Sequence, residues 1–470
     1  MKICDETIRS AIDKELSDVV MDDAQKQAIL ARCRPSLTVA PRRRPMRRVL
    51  TVAVCFAMAM VVGAGALAAA PDLRQSLRGL SEYTIQMLQP IHEVSEDQGI
   101  RMEVLGAIND GQSAVAFISL QDTSGQGRIS DTVRLMDCKI SGSGVFTNDT
   151  IVNYDPQTET AVLRLEGIAS NVKSQKITVS VGSLLSGETT IENQPTGYTV
   201  GELMEIGEET RAFAPTEDQV RQHSMTANDE EMMNEMSELM DNGKIPLLQP
   251  WEKPVKINGV DWAEITAATQ IGNQVHVRYA TGTVLGGIST LNFSLKDENG
   301  TVLELPTVEM NIGEPKQVSE TIHYTDSNEY VLMLPQDQQA KNMELLYSGV
   351  GYEQFTQGKW STTFKLEQVK EKLSAKVDLQ MDDWKLETVS VSPIGVTVTG
   401  TGETGCSDVP EVKVWNKDGT EVEVDAISTS MSDDAVSMNS MFTEILNLSE
   451  VEKVTLNGEP LQMEYIGLES

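Results

Sequence analysis

The side chains best able to carry acid–base or metal chemistry are spread thinly along this chain. Its four histidines lie far apart, and none has the spacing of a metal-ligand pair: His92, His223, His276 and His323. His276 falls inside an alternating strand pattern, which favours a core or surface role. Catalytic motifs such as GxSxG, HExxH, GxGxxG and the Walker loop are absent. We therefore predict a protein that is not an enzyme and that has no metal, cofactor or catalytic residue.

Two pairs of adjacent carboxylates are the remaining candidates for a cation site. Asp382 and Asp383 precede a strand pattern, whereas Asp433 and Asp434 lie in a stretch rich in serine and methionine. Calcium needs about six to eight oxygen ligands, so isolated pairs of this kind are more often solvated loop charges. Asn148 begins a glycosylation sequon, but that pattern is too common to indicate a modification.

The five cysteines do not form a disulfide framework. Cys4 and Cys33 have neither a CxxC partner nor a nearby histidine, which excludes a zinc site of the Cys/His kind there. Cys55 lies in an apolar run. Cys138 and Cys406 are far apart and are expected in different domains, so two free thiols are favoured, while the sequence leaves their pairing open.

An uncharged apolar run, Val49 to Ala70, determines how the chain is organised. At about 1.5 Å per residue it makes a helix of about 33 Å, which is enough to cross a hydrocarbon layer of about 30 Å. Arginines cluster on its N-terminal side, which the positive-inside rule places in the cytoplasm: Arg42, Arg43, Arg44, Arg47 and Arg48. We predict a transmembrane helix over 49–70 in a single-pass protein of the cell membrane, with a cytoplasmic N-terminus and an extracellular C-terminus.

A secretory signal peptide is the main alternative for this run, because Ala66-Leu67-Ala68 offers a small-x-small cleavage site. The preceding 48 residues are much longer than a basic n-region, and the run exceeds a typical apolar h-region, so a retained anchor is favoured. A buried helix of a soluble core is a second alternative, but the arginine cluster at one end argues against it.

Charge separates the two sides of the run. Residues 1–48 carry a net charge of +4 and the remainder −36, which together give the net −32 of the chain. An acidic exterior argues against direct binding of nucleic acid and against docking to an anionic membrane surface. It identifies no ligand, because such an excess most often reflects a solvated surface.

The N-terminal arm, residues 1–48, shows two short amphipathic helical patterns. Their apolar positions recur at helical spacing and are candidate partner-binding residues: Ile8, Ile12, Leu16, Val19, Ile29 and Leu30. So short a segment buries too little apolar surface to fold alone, so we expect it to dock into a partner's groove or to remain a disordered leader.

After the apolar run, the pattern changes to the period of two that is typical of β-strands. Strand patterns occupy 101–107, 113–121, 160–165 and 176–181, separated by turn-rich stretches. The predicted fold class is an all-β extracellular region of tandem immunoglobulin-like β-sandwiches, with one transmembrane helix and a short helical cytoplasmic arm. The predicted ranges are a juxtamembrane helix (71–95), a first sandwich (96–190), a linker with an acidic, methionine-rich helix (191–254), a second sandwich (255–370) and a third (375–470).

The second and third sandwiches show signs of internal duplication. Around Trp262 the chain reads DWAEITAATQIGNQVHVRY, and around Trp384 it reads DWKLETVSVSPIGVTVTG. An X-Gly turn follows each stretch, at Asn299-Gly300 and Asp418-Gly419. Tryptophans that open strands usually pack in cores, so we assign no binding role to Trp262, Trp360 or Trp384. In the linker, one helical face carries Met232, Met236, Leu239 and Met240, which favours packing over metal capture.

This layout resembles the anti-sigma-factor-like membrane proteins of Gram-positive bacteria that carry domain of unknown function forty-one seventy-nine. The similarity lies in the arginine cluster that precedes the apolar run and in the stretch GIRMEVLGAINDGQSAVAFISL that follows it. Two later stretches, GKWSTTFKLE and LETVSVSPIGVTVTG, are also similar, and the resemblance covers most of residues 40–400. It implies a membrane-bound regulator whose inner arm binds an extracytoplasmic-function sigma factor. The family has no catalytic residues to transfer.

These observations predict a membrane-anchored regulator of transcription. Its exterior senses or binds an unknown envelope ligand, and its arm holds a cytoplasmic partner, for which a sigma factor is the first candidate. The alternative is a membrane-tethered cell-surface binding or adhesion protein. The stimulus, the oligomeric state and the occurrence of regulated proteolysis are not encoded in any pattern that we recognise.

Overall fold

A computed structural model describes residues 77–467, except for gaps at 141–144, 169–175, 208–211, 214–224, 243, 313–315, 318–322, 326, 382–383, 403–408 and 433–434. All of these residues belong to one compact unit, Leu67–Ser470. The described chain is mainly β-structure. In many strands apolar side chains alternate with period two, so one face packs against a second sheet, whereas Ile100–Asn109 and Ser113–Asp122 are buried on both faces over much of their length.

The predicted fold class is wrong as stated. Among the described residues, no helix has both the length and the apolar character that crossing a membrane requires. Helices here are short, the longest being Glu230–Asp241 with 12 residues, because the alternating pattern favours strands. The predicted span (49–70), the arm (1–48) and the arginine cluster lie outside the described residues.

The first sandwich follows a short helix, and eight of the described strands, β1 to β8, form most of it. Its elements are α1 (Glu82–Met87), β1 (Gln89–Asp97), β2 (Ile100–Asn109), β3 (Ser113–Asp122), β4 (Arg134–Met136), β5 (Lys139–Ile140), β6 (Val145–Asp155), β7 (Thr160–Ile168) and β8 (Lys176–Thr199). One antiparallel sheet has the order β1-β2-β3-β7-β6, and β4 and β5 both pair with β8 in the facing sheet.

The second sandwich contains most of the short helices. Its elements are α2 (Val200–Ile206), β9 (Ala212–Phe213), β10 (Met225–Ala227), α3 (Glu230–Asp241), β11 (Leu247–Leu248), β12 (Val255–Lys256), β13 (Ala263–Ile271), β14 (Gln274–Thr281), α4 (Val284–Ile288), β15 (Thr290–Lys296), β16 (Thr307–Asn311), β17 (Lys316–Gln317), β18 (His323–Tyr324), β19 (Ser327–Met333) and β20 (Glu344–Lys365). One sheet has the order β10-β16-β19-β14-β13-β12 and faces β15 and β20.

The third sandwich pairs a six-stranded sheet with a three-stranded one. Its elements are β21 (Lys372–Gln380), β22 (Trp384–Val391), β23 (Gly395–Gly402), β24 (Val412–Asn416), β25 (Val424–Ser432), β26 (Ala435–Phe442), a 3₁₀ turn (Leu448–Glu450), β27 (Val451–Leu456), β28 (Glu459–Pro460) and β29 (Glu464–Ile466). The sheet orders are β25-β26-β23-β22-β21-β29 and β24-β27-β28.

Two long strands are shared by the first and second sandwiches. β8 and β20 are paired from Lys176 opposite Lys365 to Thr199 opposite Glu344, with bulges along the way. The Lys176 end of this ribbon packs in the first core, where Trp360 is fully buried and its indole Nε1 donates to the Ile100 carbonyl oxygen at 2.9 Å. The other end packs in the second core. Residues 191–199, which were predicted to lie in a linker, therefore continue a strand.

The first and third sandwiches meet across a buried apolar cluster that also includes the start of the described chain. We call residues 77–88 the lead segment. Leu77 and Leu88 are buried there with Phe117 and Val162 of the first sandwich. The third sandwich contributes three buried side chains, namely Ile394, Met441 and Ile445. The lead segment is thus held between two β-sandwiches. Within the range predicted as a juxtamembrane helix (71–95), the described residues are helical only at Glu82–Met87.

The two X-Gly turns have the same local structure. Gly300 and Gly419 both have positive φ, +84° and +86°, which suits glycine because it lacks a Cβ atom. The amide of Gly300 donates to the Asp297 carbonyl oxygen at 3.0 Å, and that of Gly419 donates to the Asn416 carbonyl oxygen at 2.9 Å. Each turn follows a strand, β15 or β24, that belongs to the sheet with fewer strands in its sandwich. The duplicated sequence pattern predicts such a correspondence.

Candidate functional site

The residues that the sequence singled out for partner binding and topology all precede residue 77 and lie outside the described residues. The acidic pairs at 382–383 and 433–434 are also outside them, as is Cys406. Cys138 is buried and is a free thiol, and burial raises its pKa above the ordinary value. Across the described ranges, no group of three His, Cys, Asp or Glu side chains is placed to hold a metal ion.

His276 occupies a fully buried polar cluster beneath the second sandwich. Its Nδ1 lies 2.7 Å from Oε1 of Glu329, and both side chains have zero exposed area. Glu329 also accepts a hydrogen bond, 2.8 Å long, from the amide of Leu248. Arg278, on the same strand as His276, donates to the Leu248 carbonyl oxygen. The amide and the carbonyl oxygen of Leu248 are therefore bound by Glu329 and Arg278, respectively, from the sheet below.

This cluster secures the strap, which we define as residues 225–248. The strap covers the outer face of the sheet with Met232, Met236 and Leu247, all buried against Val308 and Val331. A carboxylate and an imidazole with no exposed area cannot meet a substrate. The chemistry of this cluster is therefore structural: the two side chains satisfy each other's buried polar atoms, and Glu329 also binds the backbone of the strap.

The third sandwich contains two adjoining open cavities that are better suited to a ligand. The first, which we call the edge cleft, has a volume of about 590 Å³ and lies between β24 and β25, the outer strands of the two facing sheets. The second, the turn cavity, has a volume of about 480 Å³ and lies beside the Asp418-Gly419 turn. Glu421, Val422 and Glu423 line both cavities. These volumes fall in the range that binds small molecules or peptide segments.

Exposed apolar side chains gather at the edge cleft. Val409, Val424 and Ile427 are 53%, 39% and 60% exposed, and all three line it. Only five other large apolar side chains are as exposed among the described residues, and they are dispersed or lie on other edges. Buried Met438 and partly buried Val412 form part of the lining. Gathered exposed apolar surface of this kind is typical of binding sites.

Negative charge surrounds the two cavities. Their lining includes six carboxylates and two lysines: Glu411, Asp418, Glu421, Glu423, Glu444, Glu450, Lys413 and Lys417. The ammonium of Lys413 lies 3.2 Å from Glu411 and 3.8 Å from Glu421, and these partners raise its pKa. The pKa of Asp418 is lowered by hydrogen bonds from the hydroxyl and amide of Thr420. The excess of negative charge favours a cationic ligand.

The segment 443–446 joins the turn cavity to the rest of the molecule. Thr443, Ile445 and Leu446 line the cavity. The guanidinium of Arg164, on β7 of the first sandwich, donates to the carbonyl oxygens of Thr443 and of the preceding Phe442, the latter at 2.6 Å. Ile445 belongs to the same buried apolar cluster as the lead segment. A ligand in the turn cavity therefore touches the residues that hold the first sandwich and the lead segment.

Arg164 is itself paired with a buried acid. Its Nη1 lies 2.7 Å from Oε1 of Glu166, and the two side chains are only 8% and 2% exposed. Both project from β7 on the face that carries Val162, because residues two apart in a strand share a face. Sequence inspection missed this pair, as it missed both cavities. The one available signal was a basic and an acidic residue at alternate positions of an otherwise apolar strand, AVLRLEGI.

No protein-family model matches the chain, and no curated protein matches it. Among solved structures, "The crystal structure of the conserved domain protein from Bacillus anthracis" is similar over 83% of this chain and 95% of that chain, with 9% sequence identity and a TM-score of 0.33. A likeness of this size carries no argument about fold or function.

Proposed function

We propose that this protein is a non-enzymatic regulator at the cell membrane, in which the β region binds an envelope ligand and residues 1–48 hold a cytoplasmic partner. A sigma factor is the first candidate for that partner. One observation carries the proposal: segment 443–446 lines the turn cavity and also anchors Arg164 and the lead segment. The cavity is thereby linked to the lead segment through contiguous contacts.

The sequence supports the rest of the proposal. The basic residues 42–48 and the resemblance to anti-sigma-factor-like proteins favour a regulator over a secreted enzyme. The two polar clusters most like catalytic sites, at His276 and at Arg164, have their charged groups buried and bound to backbone or to each other. Such groups stabilise a fold and have no access to a substrate.

The experiment is a promoter measurement in cells that carry chromosomal variants. Deletion of residues 1–48 is expected to change the transcription of the partner's target genes. Arg164→Met is expected to change the same genes, because it releases segment 443–446 from the first sandwich. Arg134→Met is the matched control, since Arg134 forms an exposed pair with Glu188 at 3.3 Å, and it is expected to leave transcription unaltered.

A pull-down with residues 1–48 identifies the partner directly, and fractionation of whole cells tests the location at the membrane. If the deletion leaves every promoter unchanged and the pull-down recovers no transcription protein, the regulatory proposal is wrong. The adhesion alternative predicts that outcome together with retention of the β region on cell-wall material. The continuous β8–β20 ribbon favours it as a second candidate, because shared strands make a stiff spacer.

A further inference from the structure

We infer that the edge cleft binds an extended, basic peptide segment, which adds as a strand to the outer edge of β25. This inference rests on the proposed function, because it identifies the class of ligand that the sensing region takes. The first observation is topological. β25 ends its sheet and, among the described strands, has β26 as its one hydrogen-bonded neighbour. Peptides bind such edges through backbone hydrogen bonds, and alternate side chains provide specificity.

The second observation is the position of apolar surface along that edge. Val424 and Ile427, both on β25, are exposed and line the edge cleft, as does exposed Val409 from the segment before β24. The cleft leads inward to Met438 and Ser440 on β26, which are 3% and 5% exposed. A strand laid along β25 places every second side chain towards the cleft, so the ligand needs apolar residues at alternate positions.

The third observation is charge. The excess of carboxylates around the cleft and the turn cavity complements a segment that carries lysine or arginine at its remaining positions. The same excess argues against a second copy of this chain as the occupant, because the chain has a net charge of −32. Anionic polymers and nucleic acid are disfavoured for the same reason. Together, the open edge, the alternating apolar contact and the acidic rim define a basic amphipathic strand.

The test measures the binding of a fluorescein-labelled decapeptide of alternating lysine and valine to the full-length protein by fluorescence anisotropy. Saturable binding is expected, and it is expected to weaken as salt is raised because exposed charges are screened. A glutamate–valine decapeptide is expected not to bind. A lysine–valine decapeptide that is N-methylated at every backbone amide keeps its charge but has no backbone N–H to donate to the edge, so it is expected to bind at least tenfold more weakly.

Variants locate the site. Ile427→Ser removes apolar contact and is expected to weaken binding about tenfold, which corresponds to about 1.4 kcal/mol. Glu423→Lys is expected to weaken binding by a similar factor. Ile466→Ser and Glu464→Lys are the matched controls, because both residues lie on β29, the opposite outer strand of the same sheet, and they are expected to change nothing.

Three results overturn the inference: no binding of the lysine–valine peptide, equal binding of the N-methylated peptide, or equal losses in the β25 and β29 variants. None of these results bears on transcription, which the deletion of residues 1–48 tests separately. Conversely, an unchanged promoter with intact peptide binding removes the regulatory proposal and leaves a peptide-binding surface.

Discussion

Replacing Arg164 by methionine tests how the first and third sandwiches are held together. The substitution keeps the unbranched apolar part of the side chain but removes the guanidinium that lies 2.7 Å from Glu166, a carboxylate that is 1% exposed. Breaking a buried ion pair from one side costs roughly 3–5 kcal/mol, and the two hydrogen bonds to the Phe442 and Thr443 carbonyl oxygens are lost with it. We expect a loss of about 4 kcal/mol in the free energy of unfolding.

Calorimetry distinguishes two ways in which that loss appears. The entropy of unfolding is roughly 2.1 cal/mol/K per residue, so about 4 kcal/mol lowers Tm by about 5 °C if roughly 400 residues unfold together. If the third sandwich, about 100 residues, unfolds alone, the same loss lowers its Tm by about 19 °C. The size of the shift therefore also reports whether the sandwiches unfold cooperatively.

Two comparisons make the result decisive. Arg134→Met breaks the Arg134–Glu188 pair, whose side chains are 52% and 21% exposed, and is expected to cost less than about 1 kcal/mol. Adding Glu166→Gln to Arg164→Met removes the buried carboxylate that faced Arg164 and is expected to restore part of the loss. If Arg164→Met lowers Tm no more than Arg134→Met does, or if Glu166→Gln restores nothing, the buried pair does not hold the interface as described.

Three further predictions concern other buried groups. Burial alone raises the pKa of Asp122, but hydrogen bonds from Arg128 and Ser124 outweigh it and hold the pKa well below the ordinary value. Its contribution to stability is therefore fully present above the unfolded pKa of about 4 and declines as pH falls towards the folded pKa, so Arg128→Met should lower Tm at pH 7, and this effect should shrink in thermal scans from pH 4 to pH 2. Cys138 should resist alkylation by iodoacetamide in the native protein and react after denaturation, as peptide mass spectrometry can show, because burial raises its thiol pKa and thereby suppresses the thiolate; rapid native labelling would contradict this. Glu329→Gln should weaken the charge-assisted bonds to His276 and to the strap, costing about 2 kcal/mol and accelerating amide exchange in the strap, whereas unchanged exchange would show that the methionine face alone holds it.

Sequence patterns located much of the local β-structure. The strand patterns at 101–107, 113–121, 160–165 and 176–181 all lie within observed strands, since alternation of apolar and polar residues directly reports a half-buried strand. The methionine-rich helix is present at Glu230–Asp241, with Met232 and Met236 buried. Trp360 and Trp384 are core residues, at 0% and 2% exposure.

Sequence patterns did not locate the candidate binding surface. The edge cleft depends on which strands end their sheets, and strand order follows from pairings between segments far apart in the chain. Val424 and Ile427 resemble any other apolar strand residues until β25 proves to have an open edge. For the same reason, the prediction of a linker from residue 191 missed the continuation of β8 to Thr199, because the partner strand, β20, begins far along the chain at Glu344.

The sequence by itself determined the all-β character of the described chain, the positions of its glycine turns and its strong negative charge, because these depend on side-chain chemistry within a few residues. The tertiary structure alone decided that β8 and β20 serve two cores, that Arg164 reaches the third sandwich, and that the lead segment lies between two sandwiches. The physical reason is that strands pair through backbone hydrogen bonds, which are nearly the same for every residue. A period of two therefore shows which face of a strand is buried, but not which strand lies beside it.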